Sequence, residues 1–420
     1  MKVWMHFCSL VLISVLSLSF KAEATFSRLE SMGKSADFFM DDVSIFSNPA
    51  NINIFPNFLI GEMGSYRNPA KLDTSLSSNR NRNLDPENSW FGGLFSYSLS
   101  KNKDKATLSP QISIGGAFNR LDTEILPLTP DSADGFLIPD PATNFDGFLG
   151  MTFRNGGMIG SHIYIAKQDG ADLSYGKINP GNNIRFSLMR GDLGVNMPLN
   201  KSLDGEISLG GAETSYGPEK IDPKLSFFVK ARLFSSVDLI NGEMVPIASY
   251  SNIAIPGKDI QQFHVGLGAN VSLDRGFFWL GLKGILENQK TQGFDTYGNY
   301  AVFFSDSTTK TKQSRKGISI GFGIERNIWW DWLVLRVGGH KVIAQTEVED
   351  KSGKKYSFIY TNPTGDMTSE DQIGFGIGVN IEEKLKVDAT LAEDLPYTFG
   401  NFFSGPRSYI ISRISATYSF

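Results

Sequence analysis

Over most of its length this chain alternates apolar and polar residues one by one. In Lys224–Phe234, Leu225, Phe227, Val229, Ala231 and Leu233 share one parity, and Lys224, Ser226, Lys230 and Arg232 share the other. Side chains of a β-strand point alternately to its two faces, so such a stretch predicts a strand apolar on one side only. The pattern recurs in Gln262–Ser272, where Phe263, Val265, Leu267, Ala269 and Val271 oppose Gln262, His264, Gly266, Gly268, Asn270 and Ser272. Ile318, Ile320, Phe322 and Ile324 oppose Ser319, Gly321, Gly323 and Glu325, and Ile373 to Ile381 alternates with Gly374, Gly376, Gly378 and Asn380. A soluble sandwich alternates as well. Here the apolar faces run long and unbroken while the opposite faces are glycine and polar groups, the inversion expected when lipid lies outside and a polar lumen inside.

The spacing between strands carries topology. If the last strand runs toward the periplasm, the connections 395–406, 345–371, 288–315, 167–181, 120–145 and 67–89 fall on the outer side, and all are long. The interleaved ones, near Glu382-Glu383, Asn327–Asp331, Asp274–Gly276, Asn200-Lys201 and Asn155-Gly156-Gly157, are tight. Long outer loops and short periplasmic turns are the mark of an all-β, transmembrane antiparallel up-and-down barrel. Parity closes at about sixteen strands with a weak strand near Val245–Ala254, and at about fourteen without it and one neighbour. The last strand, Ser412–Phe420, sets Ile414, Ala416, Tyr418 and Phe420 on the lipid face, the expected signal for the barrel-assembly machinery. Aromatic girdles are expected at strand ends, with Trp329, Trp330, Trp332, Trp90, Phe91, Phe277 and Trp279 as candidates.

Composition narrows the class further. The chain holds 43 Gly and 32 Phe, 20% charged residues, and a net charge of −4 that gives nucleic acid no basic footprint. Lys2, the apolar run Val3–Phe20 and Ala22-Glu23-Ala24 read as a cleaved secretory signal over 1–24, and export together with the barrel pattern gives the outer membrane as the expected location. The single cysteine, Cys8, lies inside that signal, so no disulfide and no cysteine-based metal site follow. Residues 25–56 lack strand patterning and are expected to form a periplasmic tail or a plug, ahead of a barrel over 57–420.

That same segment carries a resemblance. Arg28-Leu29-Glu30-Ser31-Met32-Gly33, then Asp41-Asp42-Val43-Ser44-Ile45-Phe46-Ser47-Asn48-Pro49-Ala50-Asn51-Ile52, resembles the amino-terminal signature of the FadL/PorV superfamily of outer-membrane proteins. The resemblance covers the segment; the rest of the chain is similar only in pattern and length. It implies a fourteen-stranded barrel with an amino-terminal hatch in the lumen containing Asn48, Pro49 and Ala50. Phe38, Phe39 and Met40 stand where the family has small residues, which implies a bulkier hatch. It further implies either passage of small hydrophobic molecules such as long-chain fatty acids, or a PorV-like role with exported proteins in type IX secretion. A general diffusion porin is the third expectation.

Catalytic and metal chemistry find little footing. Gly317-Ile318-Ser319-Ile320-Gly321 matches a nucleophile-elbow pattern but lies within a strand, where the required sharp turn is missing. His162, His264 and His340 read as isolated lumenal residues on separate strands. No metal-ligand spacing occurs, and neither a cofactor nor an enzyme is expected. Asp122, Glu124, Asp131, Asp134, Asp140 and Asp146, with Asn144, read as an acidic solvated outer loop rather than a calcium site. Lys230, Arg232, His264, Glu325, Arg336, Lys386 and Asp388, together with Glu206, are the candidates to line the lumen. Bilayer lipid, the assembly machinery and a hydrophobic ligand or exported proteins are the expected partners.

Overall fold

The computed structural model describes residues 25–33, 37–55, 57–67, 84–99, 110–122, 124–125, 143–168, 185–217, 223–255, 258–291, 295–297, 300–302, 311–349, 353–360, 372–382, 384–391 and 411–420. The leader reading of 1–24 and Asp131, Asp134 and Asp140 lie outside them. The barrel strands are β1 (Phe58–Arg67), β2 (Leu84–Ser98), β3 (Gln111–Phe118), β4 (Thr143–Thr152), β5 (Met158–Gln168), β6 (Arg185–Asn200), β7 (Leu203–Gly217) and β8 (Lys224–Val237). They continue as β9 (Gly242–Ile255), β10 (Lys258–Leu273), β11 (Gly276–Thr291), β12 (Thr311–Asn327), β13 (Leu333–Glu349), β14 (Gln372–Ile381), β15 (Leu385–Leu391) and β16 (Ile411–Ser419). Each pairs antiparallel with its neighbours, and β1 closes on β16 from Phe58↔Ser419 to Gly64↔Arg413. The short strand Lys355–Tyr360 pairs with the outer part of β13 and stands outside the circuit.

The count is therefore sixteen, not the fourteen that the resemblance implies. The weak strand is real: β9 pairs with both β8 and β10 although Pro246 interrupts its amide ladder. Loop length does not alternate strictly: only residues 256–257 separate β9 from β10 on the outer rim, and residues 99–110 separate β2 from β3 on the periplasmic rim.

Every parity assignment above holds in space. Leu225, Phe227, Leu267, Ile320 and Phe322 are exposed on the outside, and Ser226, Arg232, Gly268, Ser319 and Gly321 are covered on the inside. A wall of exposed apolar side chains encircling the protein would cost about 25 cal/mol per Å² in water, so its medium is hydrocarbon. No helix among the described residues is long and apolar enough to cross a membrane; the crossing is made by strands. Ile414, Ala416, Tyr418 and Phe420 all face outward, with the Phe420 ring 5.5 Å from Phe95.

The girdle assignment needs correction. Trp329, Trp330 and Trp332 are exposed in the β12–β13 turn and Phe91 faces out, but Trp90, Phe277 and Trp279 point into the lumen. Parity governs where a strand side chain points. Trp279 sits one residue from outward-facing Leu280 and so cannot reach lipid, whatever its interfacial preference.

Candidate functional site

The amino-terminal segment touches the inner wall on several sides, and its local structure follows from its caps. Helix α1 (Phe26–Ser31) starts at Thr25, whose hydroxyl accepts the Arg28 amide, and ends at Gly33 with φ +86°, a left-handed value that favours glycine. A 3₁₀ turn over Asp42–Phe46 is capped by the Asp41 carboxylate, which accepts from the Val43 amide. A second, Pro49–Asn53, begins at Asn48, whose Oδ1 accepts from the Ala50 amide at 3.1 Å. Pro49 stands at the position where a missing N–H costs nothing, and it holds Asn48 extended at φ −140°.

Glycines on the wall make room for this segment. Gly150, Gly160 and Gly194 lie side by side in β4, β5 and β6, facing inward. A methyl group on Gly160 would sit 2.1 Å from the Pro49 carbonyl oxygen, and one on Gly194 would sit 1.9 Å from Asn48 Oδ1. The side chains of Asn48 and Asn53 donate to Val195 and Ile159 carbonyls at the same place. Across the lumen, Gly268 and Gly281 face each other under the Phe38 ring, and Gly323 and Gly338 receive Met32. At Gly160 and Gly338 the segment's backbone closes on the wall's, and at Gly150, Gly268 and Gly281 its side chains do, approaches that a Cβ would block.

Buried charges fasten the remainder. Arg28 donates to Glu325 at 2.6 and 3.2 Å and to Asp41 at 3.0 Å. Glu325 also meets Arg336, which pairs with Asp388 at 2.6 Å, and Asp388 accepts from the Thr25 hydroxyl. Arg413 bridges Glu62 at 3.0 Å and Glu30 at 3.3 Å. Asp37 sits between Lys230 at 2.7 Å and Lys283 at 3.0 Å. Burial alone would raise the Asp37 carboxyl, but the two ammonium groups hold it well below the usual carboxylate range. At Asp41 burial prevails over Arg28 and pushes the carboxyl up.

Aromatic contacts complete the seat. Phe38 and Phe39 lie 6.1 and 5.9 Å from Trp279, and Phe46 lies among Phe26, Trp90 and Phe148. Between Asp42, Val43, Ile45 and Phe46 on the segment and Phe58, Ile60, Trp90, Leu94 and Phe148 on the wall runs a narrow, mostly apolar cleft with only about 20 Å³ of free space, room for about one water. Its wall side is thinned by Gly92, Gly93, Gly115 and Gly116.

The structure brings Glu325, Arg336 and Asp388 into one network with Arg28, and sets Lys230 and Arg232 against Asp37 and Phe39. Arg232 also forks onto Glu206. His264 stands apart beside Ser249 and Glu287, and Lys386 is half-buried on β15. The three histidines face the lumen but are not isolated. His340 Nε2 meets Ser319 Oγ, and His162 lies under Phe148 with both ring nitrogens 2.8 Å from carboxylates, Asp192 and Asp146. Only a doubly protonated ring donates to both.

Of the acidic stretch, Glu124 is exposed as expected, but Asp122, Asn144 and Asp146 are buried rather than solvated. Asp146 is an inward residue of β4 held by Arg120 at 2.6 and 2.9 Å, and Asp122 is buried against Arg190 at 3.1 Å. Among the described residues no cluster of three metal-ligating side chains occurs. Sequence reading missed Arg28, Asp37, Arg120 and Arg190. Arg120 and Arg190 each stand near an acidic residue in the chain, Asp122 and Asp192, the one signal that charge pairing offered.

No known family profile matches the chain, and no curated protein matches it in sequence. Among solved structures it is similar to a deltaS2 mutant of the monoaromatic hydrocarbon channel TodX, at 9% identity over 96% of this chain and 100% of that one, with a TM-score of 0.38. The monoaromatic hydrocarbon channel CymD gives 11% identity over 94% and 97% with a TM-score of 0.37. CdiB from Escherichia coli gives 10% identity over 86% of this chain and 63% of that one, with a TM-score of 0.40.

Proposed function

We propose that this chain is an outer-membrane transporter for small hydrophobic molecules, long-chain fatty acids among them, in which residues 25–56 serve as the hatch. The observation that supports it is the narrow apolar cleft between Phe46 and the wall, which widens if the segment moves. A hydrocarbon that takes the segment's place against this wall gains roughly 25 cal/mol per Å² of surface removed from water. Because the seat is wholly non-covalent, a shift of the segment opens the path without breaking the barrel. In this reading residues 1–24 export the chain, Ile414, Ala416, Tyr418 and Phe420 address it to the assembly machinery, the bilayer is its medium, and it is not an enzyme. Cells with and without the gene, given a radiolabelled long-chain fatty acid, provide the test; equal uptake sinks the proposal.

The Ser319–His340 contact favours a second reading, a hydrolase working inside the lumen. Against it, Ser319 is buried and lies mid-strand in β12. Labelling of Ser319 by a fluorophosphonate would bring that reading forward; no labelling leaves the transporter.

A further inference from the structure

A polar lumen is the rule in such barrels, yet the outer halves of β5–β10 line theirs with Tyr164, Phe186, Leu188, Ile253, Ile255 and Ile260. Among the described residues one side chain from outside the wall completes this cluster: Ile125, fully buried. The stretch that delivers it leaves β3 at Asn119, whose φ of +66° turns the chain inward. Asp122 then caps the turn, its Oδ1 accepting from the Glu124 and Ile125 amides at 3.0 and 2.7 Å. Its Oδ2 meets Arg190, which also pairs with Glu124 at 2.6 Å. Burial would raise the Asp122 carboxyl, but Arg190 and Arg120 hold it below its ordinary value. The Tyr164 hydroxyl is already satisfied, accepting from the Asp122 amide and donating to the Arg120 carbonyl, so the cluster offers an incomer only apolar surface. Arg120 lies 4.0 Å over the Phe46 ring and so joins this stretch to the amino-terminal segment.

We propose that Asn119–Asp122 together with Glu124 and Ile125 form an outer stopper, with Ile125 occupying an apolar seat that an incoming hydrocarbon or acyl chain takes over and Asp122–Arg190 as its latch. The inference deepens the transport reading and rests on it for the identity of the ligand. It gives the lumen a closure on the outer side, apart from the segment that fills it from the inner side. Opening begins when the ligand replaces Ile125 and the latch parts.

The full chain carrying Ile125→Cys and Cys8→Ala, purified in detergent, tests this through its rate of reaction with a charged maleimide. Slow labelling is expected, rising at least about tenfold in saturating n-decane. Asp122→Asn keeps a side-chain oxygen for the cap but removes the charge, and should raise the rate without decane. Retained heat-modifiable migration on a gel shows that each variant's barrel is intact. Fast labelling from the start, or a rate indifferent to both decane and Asp122→Asn, overturns the stopper. If the labelling behaves as expected while cells take up no fatty acid, the transport reading fails and the stopper stands. If uptake is normal and labelling indifferent, the reverse holds.

Discussion

Replacing Arg28 by Met tests whether buried charge seats the amino-terminal segment. Arg28 is covered on every side and serves two carboxylates, Glu325 and Asp41. Its loss leaves them unequal: Glu325 keeps Arg336, whereas Asp41 is stranded in a buried site with no guanidinium opposite. Breaking a buried pair by removing one partner costs about 3–5 kcal/mol, and the surviving Arg336 contact puts this case near 3. At about 1.4 kcal/mol per factor of ten, the unseated population should rise roughly a hundredfold. Hydrogen exchange reads this directly at the amides of Leu29, Ser44, Asn48, Asn51 and Ile54, which donate within the segment. The strand amides of Gln262–Ser272 should stay unchanged and serve as the internal reference. Adding Asp41→Asn removes the stranded charge and should recover a large part of the loss. Exchange equal to the unaltered protein, or no recovery in the double variant, would refute the reasoning.

Gly160→Leu drives a side chain into the Pro49 carbonyl and should cost the seat at least about 1–3 kcal/mol, seen as faster exchange at Asn51 and Ile54. Gly191→Leu on the neighbouring strand, where a Cβ meets nothing within 4 Å, should change nothing. For Asp37 the sign follows from its depressed carboxyl: its contribution is complete above the ordinary carboxylate pKa near 3.9 and is lost only as pH falls through the lower native value. Asp37→Asn should therefore expose the segment by a constant margin from pH 7 to about 4.5, and the margin should close in stronger acid; closing between pH 7 and 5 would contradict the pairing with Lys230 and Lys283.

What was legible in the sequence was whatever a period of two carries. The faces of β8, β10, β12 and β14 and the outward set of the last strand all follow from it, and so do most of the loop lengths, with the β2–β3 and β9–β10 connections as exceptions. Trp90, Phe277 and Trp279 depart from the girdle expected of their residue type because strand parity turns them into the lumen. The Asp122 and Asp146 assignments failed for a different reason: acidic clustering looks the same whether the partners are water or arginines from other strands. The glycine rows are hidden in another way. Gly150, Gly160 and Gly194 are 10 and 34 positions apart in the numbering and become neighbours only through the registers of β4–β5 and β5–β6. Asn48-Pro49-Ala50 was readable as a capped turn, but nothing in it names the wall it rests on.

On the transport reading the two proposed closures meet, among the described residues, where Arg120 rests on Phe46, and the size of that contact limits how tightly they are coupled. Arg120 is clamped to Asp146 on the wall and rests on Phe46 of the inner segment, so moving either the stopper or the Asp42–Phe46 turn separates cation from ring. A cation–π contact is worth about 0.5 kcal/mol when exposed and about 2 when desolvated, and Arg120 is buried, which favours the upper figure. Coupling is reciprocal: release of the stopper favours release of the segment by the same factor as the converse, roughly 30-fold at most. That is far below the roughly 10⁴-fold needed to carry a two-state element from almost wholly closed to almost wholly open. A ligand that displaces Ile125 therefore biases the inner segment without opening it. The rest of the work falls to contacts the ligand makes deeper in the lumen, against Phe46, Trp90 and Phe148, where the apolar cleft already lies.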